Sequence, residues 1–106
     1  MSKIIDRVHT DQETINHLKQ LQLELDAELE VELHLRDGRV IRGTLPERPI
    51  VMQFQDPQGN EGTNGLIRLD LGDGQVHLML LDEVHHFERI GSVPDRTFEE
   101  QSRGPA

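Results

Sequence analysis

The chain contains no cysteine, tryptophan or tyrosine, and only three phenylalanines: Phe54, Phe87 and Phe98. Without cysteine there is no disulfide frame and no thiolate metal site, which suits a reducing compartment. Without tryptophan or tyrosine the core must be aliphatic, and the stacking platforms on which single-stranded nucleic acid is held are missing. Phe54 and Phe87 read as core residues. Long apolar runs are also missing. The N-terminus lacks a signal peptide's hydrophobic stretch and no segment approaches membrane-spanning length, so cytoplasmic residence without a membrane partner is expected. Serine occurs only as Ser2, Ser92 and Ser102, all outside the barrel predicted below. With no thiol nucleophile either, catalysis is not expected, and neither is a cofactor.

Positive charge is scarce. Eleven Lys and Arg face twenty Asp and Glu, a net charge of −9. Such a surface repels phosphate backbones, and nonspecific nucleic-acid binding depends on cations that displace counterions. RNA is therefore disfavoured as a partner over most of the surface. A length of 106 residues gives one domain. Polar, aperiodic ends set its limits: residues 1–9 and 92–106 read as flexible, and 10–91 as the folded unit.

Thr10-Asp11-Gln12-Glu13 has the form of a capping box with Thr10 as the cap. Ile15, Leu18, Leu21 or Gln22, and Leu25 follow at helical spacing, predicting a helix over about 11–25. From Leu29 the period becomes two. Leu29, Val31, Leu33 and Leu35 alternate with Glu30, Glu32, His34 and Arg36, a strand with one wet face. Asp37-Gly38 marks a hairpin whose type I turn places Gly38 in the left-handed region. This reading sets His34 near Arg42 and Glu32 near Thr44. Pro46 and Pro49 then break the chain. Strands are predicted at 50–55, 66–71, 76–80 and 84–90, either with 50–55 continuing the second strand or as a strand of its own. The pattern is mainly β with one N-terminal helix, a small barrel or sandwich over about 29–90.

The stretch Leu33-His34-Leu35-Arg36-Asp37-Gly38-Arg39-Val40-Ile41-Arg42-Gly43-Thr44-Leu45 resembles the first motif of Sm-like proteins. With the preceding helix, that resemblance implies a strongly bent five-stranded barrel of SH3-like shape. More narrowly, Arg48-Pro49, Gln53, residues 60–65, Leu69-Asp70 and Leu81-Asp82 are similar to the recurring residues of a family of short proteobacterial proteins of unknown function. The Sm resemblance further implies assembly, since Sm-like barrels form rings by pairing edge strands. It carries no RNA-binding residue across. Where RNA-binding Sm proteins have an Arg-Gly step, this chain has Leu80-Leu81-Asp82-Glu83-Val84, and the loop that supplies a base contact there reads Pro46-Glu47-Arg48-Pro49 here.

Three constellations remain. Gly59-Asn60-Glu61-Gly62-Thr63-Asn64-Gly65 lacks the Lys-Ser/Thr of a phosphate loop and reads as a bend using glycine and asparagine at positive φ. Its length makes Asn60, Glu61 and Asn64 candidate binding residues. Arg36, Arg39, Arg42 and Arg48 crowd the first hairpin, either as phosphate or carboxylate contacts or as cross-strand partners of Glu30 and Glu32. His85 and His86 are neighbours on a strand and are expected to face opposite sides. His34 and His77 can reach them only through the fold, so no metal site follows from spacing. The sequence thus favours a non-catalytic module that self-assembles or binds protein through its edges. The alternative is an RNA-associated regulator using the arginine-rich hairpin.

Overall fold

A computed structural model describes residues 3–90, and the tail predicted at 92–106 lies outside them. Helix α1 spans Gln12–Glu24. Its cap is Asp11 and not Thr10: the Asp11 carboxylate accepts the Thr14 N–H at 2.9 Å. A charged oxygen also complements the positive end of the helix, and the Thr14 hydrogen bond holds the Asp11 carboxyl below its ordinary value. The last turn contains no basic residue. Arg48 supplies one from the Pro46–Pro49 segment, donating to the carbonyls of Gln22 at 2.6 Å and Leu23 at 2.9 Å and pairing with Asp26.

The strands are β1 (Glu30–Leu35), β2 (Val40–Thr44), β3 (Ile50–Gln55), β4 (Glu61–Gly72), β5 (Gln75–Leu80) and β6 (Val84–Arg89), with a 3₁₀ turn at Leu81–Glu83 between the last two. Leu66 lies between Ile50 of β3 and Leu80 of β5, and Asp70 between Thr44 of β2 and Val76 of β5. Therefore β2 and β3 run along the same edge of β4, one after the other. They are the two halves of a single bent strand that the Pro46–Pro49 segment interrupts. Counted this way the sheet is five-stranded, in the order β6-β1-β2/β3-β4-β5. This settles the status of residues 50–55.

The first hairpin closes as expected, with Gly38 at φ +95° and its N–H on the Leu35 carbonyl at 3.0 Å. Its register is two residues from the predicted one. Leu35 N–H bonds to the Arg39 carbonyl, so the loop is shorter, and Glu32 stands opposite Arg42 while His34 stands opposite Val40. Because the shift is even, Leu33 and Ile41 still share the inner face.

Leu18 and Leu21 of α1 and Leu25 at its C-cap meet Val31, Leu33, Leu35, Leu45, Ile67, Leu69, Met79, Leu81 and Val84 in one aliphatic core. Phe54 is completely buried, and Phe87 packs against the core while partly exposed. Residues 3–9 are not separate from the domain. The Gln55 N–H donates to the Lys3 carbonyl at 2.8 Å, Ile5 N–H to the Gln55 carbonyl at 2.9 Å, and His9 and Thr63 exchange both backbone bonds. This N-terminal strap corrects the reading of residues 3–9 as lying outside the folded unit. Among the described residues no helix is long and apolar enough to cross a membrane.

Candidate functional site

The glycine-rich stretch is mostly strand. Only Gly59 within it has positive φ, at +88°, in a turn that Asp56 organises by accepting from the backbone of Gln58 and Asn60. Strand β4 starts at Glu61. A Cβ at Gly62 would stand 2.7 Å from the His9 carbonyl oxygen, and one at Gly65 would stand 2.8 Å from both the Ile50 carbonyl oxygen and Leu81 Cβ. These glycines admit the strap on one side and the 3₁₀ turn on the other. Asn60 is tied to Asp56, Glu61 is exposed opposite Gln55, and Asn64 is fully buried. The three candidates do not form one surface.

Asn64 instead joins a polar knot around Asp82. Arg7 grips this carboxylate with a fork, Nε to Oδ2 at 2.9 Å and Nη2 to Oδ1 at 2.8 Å. His9 Nε2 lies 2.8 Å from Oδ2 and carries the proton, since an ionised carboxylate only accepts. The Asn64 amide donates to Oδ2 at 3.1 Å and to the Arg7 carbonyl at 2.9 Å. Burial pushes the Asp82 carboxyl up, but Arg7, His9 and Asn64 outweigh it and hold it below its ordinary value. Hydrogen bonding to Asp82 in turn raises Arg7. Arg36 completes the corner, its Nε on the Asp82 carbonyl at 3.0 Å and its N–H on that of Glu83 at 2.9 Å. A cleft of about 600 Å³ opens beside the knot, between α1 and the first hairpin.

The four candidate arginines are not a free cluster. Arg36 holds the turn, and Arg39 pairs with Asp37 at 2.8 Å. Arg42 pairs with Glu32 at 2.9 Å, and Arg48 caps α1. Arg7, His9 and Asp82 went unrecognised in the sequence because 75 residues separate Arg7 from its partner. Two weak signals existed: Arg7 and His9 are spaced to share one side of an extended segment, and Asp82 follows directly on the apolar Leu80-Leu81.

The histidines also depart from expectation. His34 pairs with His86 and Leu35 with Val84, so His85 is the extra residue of a β-bulge. The bulge spoils strict alternation, and His85 and His86 do not diverge: their Nδ1 atoms are 2.9 Å apart. His34 and His86 stack with ring centroids 4.3 Å apart.

Two sheet edges complete the picture. Strand β5 pairs only with β4, and β6 only with β1, among the described residues. The outer face of β5 shows Val76 and Leu78, 56% and 59% exposed, whereas His85, His86, Glu88 and Arg89 are exposed on β6.

A helix leading into a five-stranded, strongly curled sheet with a broken second strand is a small Sm-like barrel. The crystal structure of XC5848 from Xanthomonas campestris, described as adopting a novel variant of the Sm-like motif, is similar to this chain at a TM-score of 0.80 and 30% identity, covering 86% of this chain and 100% of that one. Residues 2–90 match the family described as Domain of unknown function (DUF3247), and the chain belongs to that family. No curated protein matches. In this barrel Asp82 is turned inward onto Arg7.

Proposed function

We propose that this chain is a non-catalytic cytoplasmic assembly module, in which β5 of one copy pairs with β6 of the next. The observation that carries the reading is the contrast between the two terminal edges. Both leave backbone donors and acceptors unpaired within the sheet. Strand β5 adds Val76 and Leu78 to its outer face, with none of the charges that usually blunt a free edge. Strand β6 carries the charged residues. Two unlike edges make a head-to-tail contact, which closes into a ring or continues as a filament. The RNA alternative has less support, because each arginine of the first hairpin already meets an acceptor in its own chain.

The test is native mass in low salt with absorption recorded at 260 nm. A chain without Trp, Tyr or Cys is nearly dark at 280 nm, so retained nucleic acid dominates the spectrum. A dark oligomer that Leu78→Lys converts to a folded monomer is the expected outcome. A monomeric wild type, or an oligomer indifferent to Leu78→Lys and Val76→Lys, overturns edge pairing. A bright, salt-sensitive complex supports RNA binding instead.

A further inference from the structure

The outer face of the β1–β6 pair brings together four groups that sequence distance separates. His34 lies opposite His86, and one step along the same face Glu32 lies opposite Glu88. The Glu32–Glu88 pair is unfavourable alone. Like charges directly opposite repel, and beside them the two imidazoles stack with centroids 4.3 Å apart. His34, His86 and Glu88 together offer two imidazole nitrogens and a carboxylate oxygen, a mixed set that suits a borderline divalent cation. One ligand atom each from His34, His86 and Glu88 all lie within 4.8 Å of one another, a spacing that one ion can bridge with minor rotamer adjustment.

The surroundings already orient these groups. Glu32 Oε1 stands 2.9 Å from His34 Nε2, and Arg42 Nε donates to Glu32 Oε2 at 2.9 Å. A carboxylate on one ring nitrogen fixes the tautomer and leaves the other nitrogen for a metal. His85 Nδ1, 2.9 Å from His86 Nδ1, engages that nitrogen in a hydrogen bond and leaves His86 Nε2 open. This hydrogen bond exists because the bulge turns His85 toward His86. The acidic surface, at a net charge of −9, draws cations toward the face.

We propose that the outer face of the β1–β6 pair is a Zn²⁺ site in which His34, His86 and Glu88 are the protein ligands, Glu32 is a positioning residue and water fills the remaining position. The site needs no second copy and is independent of edge pairing.

The test uses the full, untagged chain, titrated with Zn²⁺ by calorimetry and with Co²⁺ by visible absorption. One equivalent of saturable binding is expected, with a Co²⁺ spectrum of low coordination number. His34→Ala or His86→Ala abolishes it. Glu88→Gln, at an exposed position, weakens it about 10–100-fold, as does Glu32→Gln. His77→Ala, on β5, leaves it unchanged. Circular dichroism confirms that each variant folds. Absence of saturable binding by the wild type overturns the assignment. So does binding that survives the His34→Ala/His86→Ala double variant, or that depends on His77.

Discussion

Asp82 and Glu88 are carboxylates six positions apart in the chain, yet they sit in opposite situations. Asp82 is 8% exposed, and Arg7, His9 and Asn64 all donate to it. Glu88 is exposed, lies opposite another carboxylate and meets no donor among the described residues. A buried charge is tolerated when its hydrogen bonds are complete, and removing a partner is then expensive. An exposed carboxylate with open coordination contributes little to the fold and remains available to something else. The first cluster has the character of a fastening and the second that of a receptor.

Substitution separates the two most sharply. Asp82→Ala is expected to lower stability by about 2–4 kcal/mol, because it releases a bidentate arginine and orphans the Asn64 amide inside the fold. Glu88→Ala is expected to stay within about 0.5 kcal/mol of wild type without metal, or to stabilise slightly by relieving repulsion from Glu32. Urea unfolding of both variants measures this. Equal losses would erase the distinction.

Acid sharpens the comparison. The folded Asp82 carboxyl titrates below its unfolded value of 3.8. Its stabilisation is therefore complete above that value and disappears as the pH falls through the lower, folded one. Wild type should lose stability on acidification below about pH 4, while Asp82→Asn, already weaker at neutral pH, should show a shallower dependence there. Parallel profiles from chemical denaturation at stepped pH would remove Asp82 from the cause.

The smallest effect lies in the ion pairs themselves. A double-mutant cycle on Arg7 and Asp82 is expected to yield a coupling of about 1–3 kcal/mol. The same cycle on the exposed Arg42–Glu32 pair should yield a much smaller coupling. Measuring both in high salt should shrink the second more than the first.

Periodicity made much of the fold legible. The alternation from Leu29 marked β1, and of the helically spaced Ile15, Leu18, Leu21 or Gln22, and Leu25, the leucines at 18, 21 and 25 are the ones buried. The twelve-residue β4 was cut short because Gly62, Asn64 and Gly65 have the composition of a loop. Their roles here are close approach and a buried amide, which composition does not distinguish from a turn. The hairpin register was misjudged by two residues because loop length, which the hydrophobic pattern leaves open, sets it. The Asp82 knot and the His34–His86 stack are tertiary products. Nothing local in residues 7–9 points to residue 82, and only the bulge at His85 turns two neighbouring imidazoles toward each other.

The 75-residue span between Arg7 and Asp82 also bears on how the chain is made. On a ribosome the guanidinium emerges early and stays hydrated while α1 and most of the sheet are synthesised. Its acceptor appears only with the 3₁₀ turn that precedes β6, and the long loop between them must be closed before the contact gives any return. The join between the two ends of the domain is thus a late one in chain order, followed only by the pairing of β6 with β1, and it ties the beginning of the chain to its closing strands.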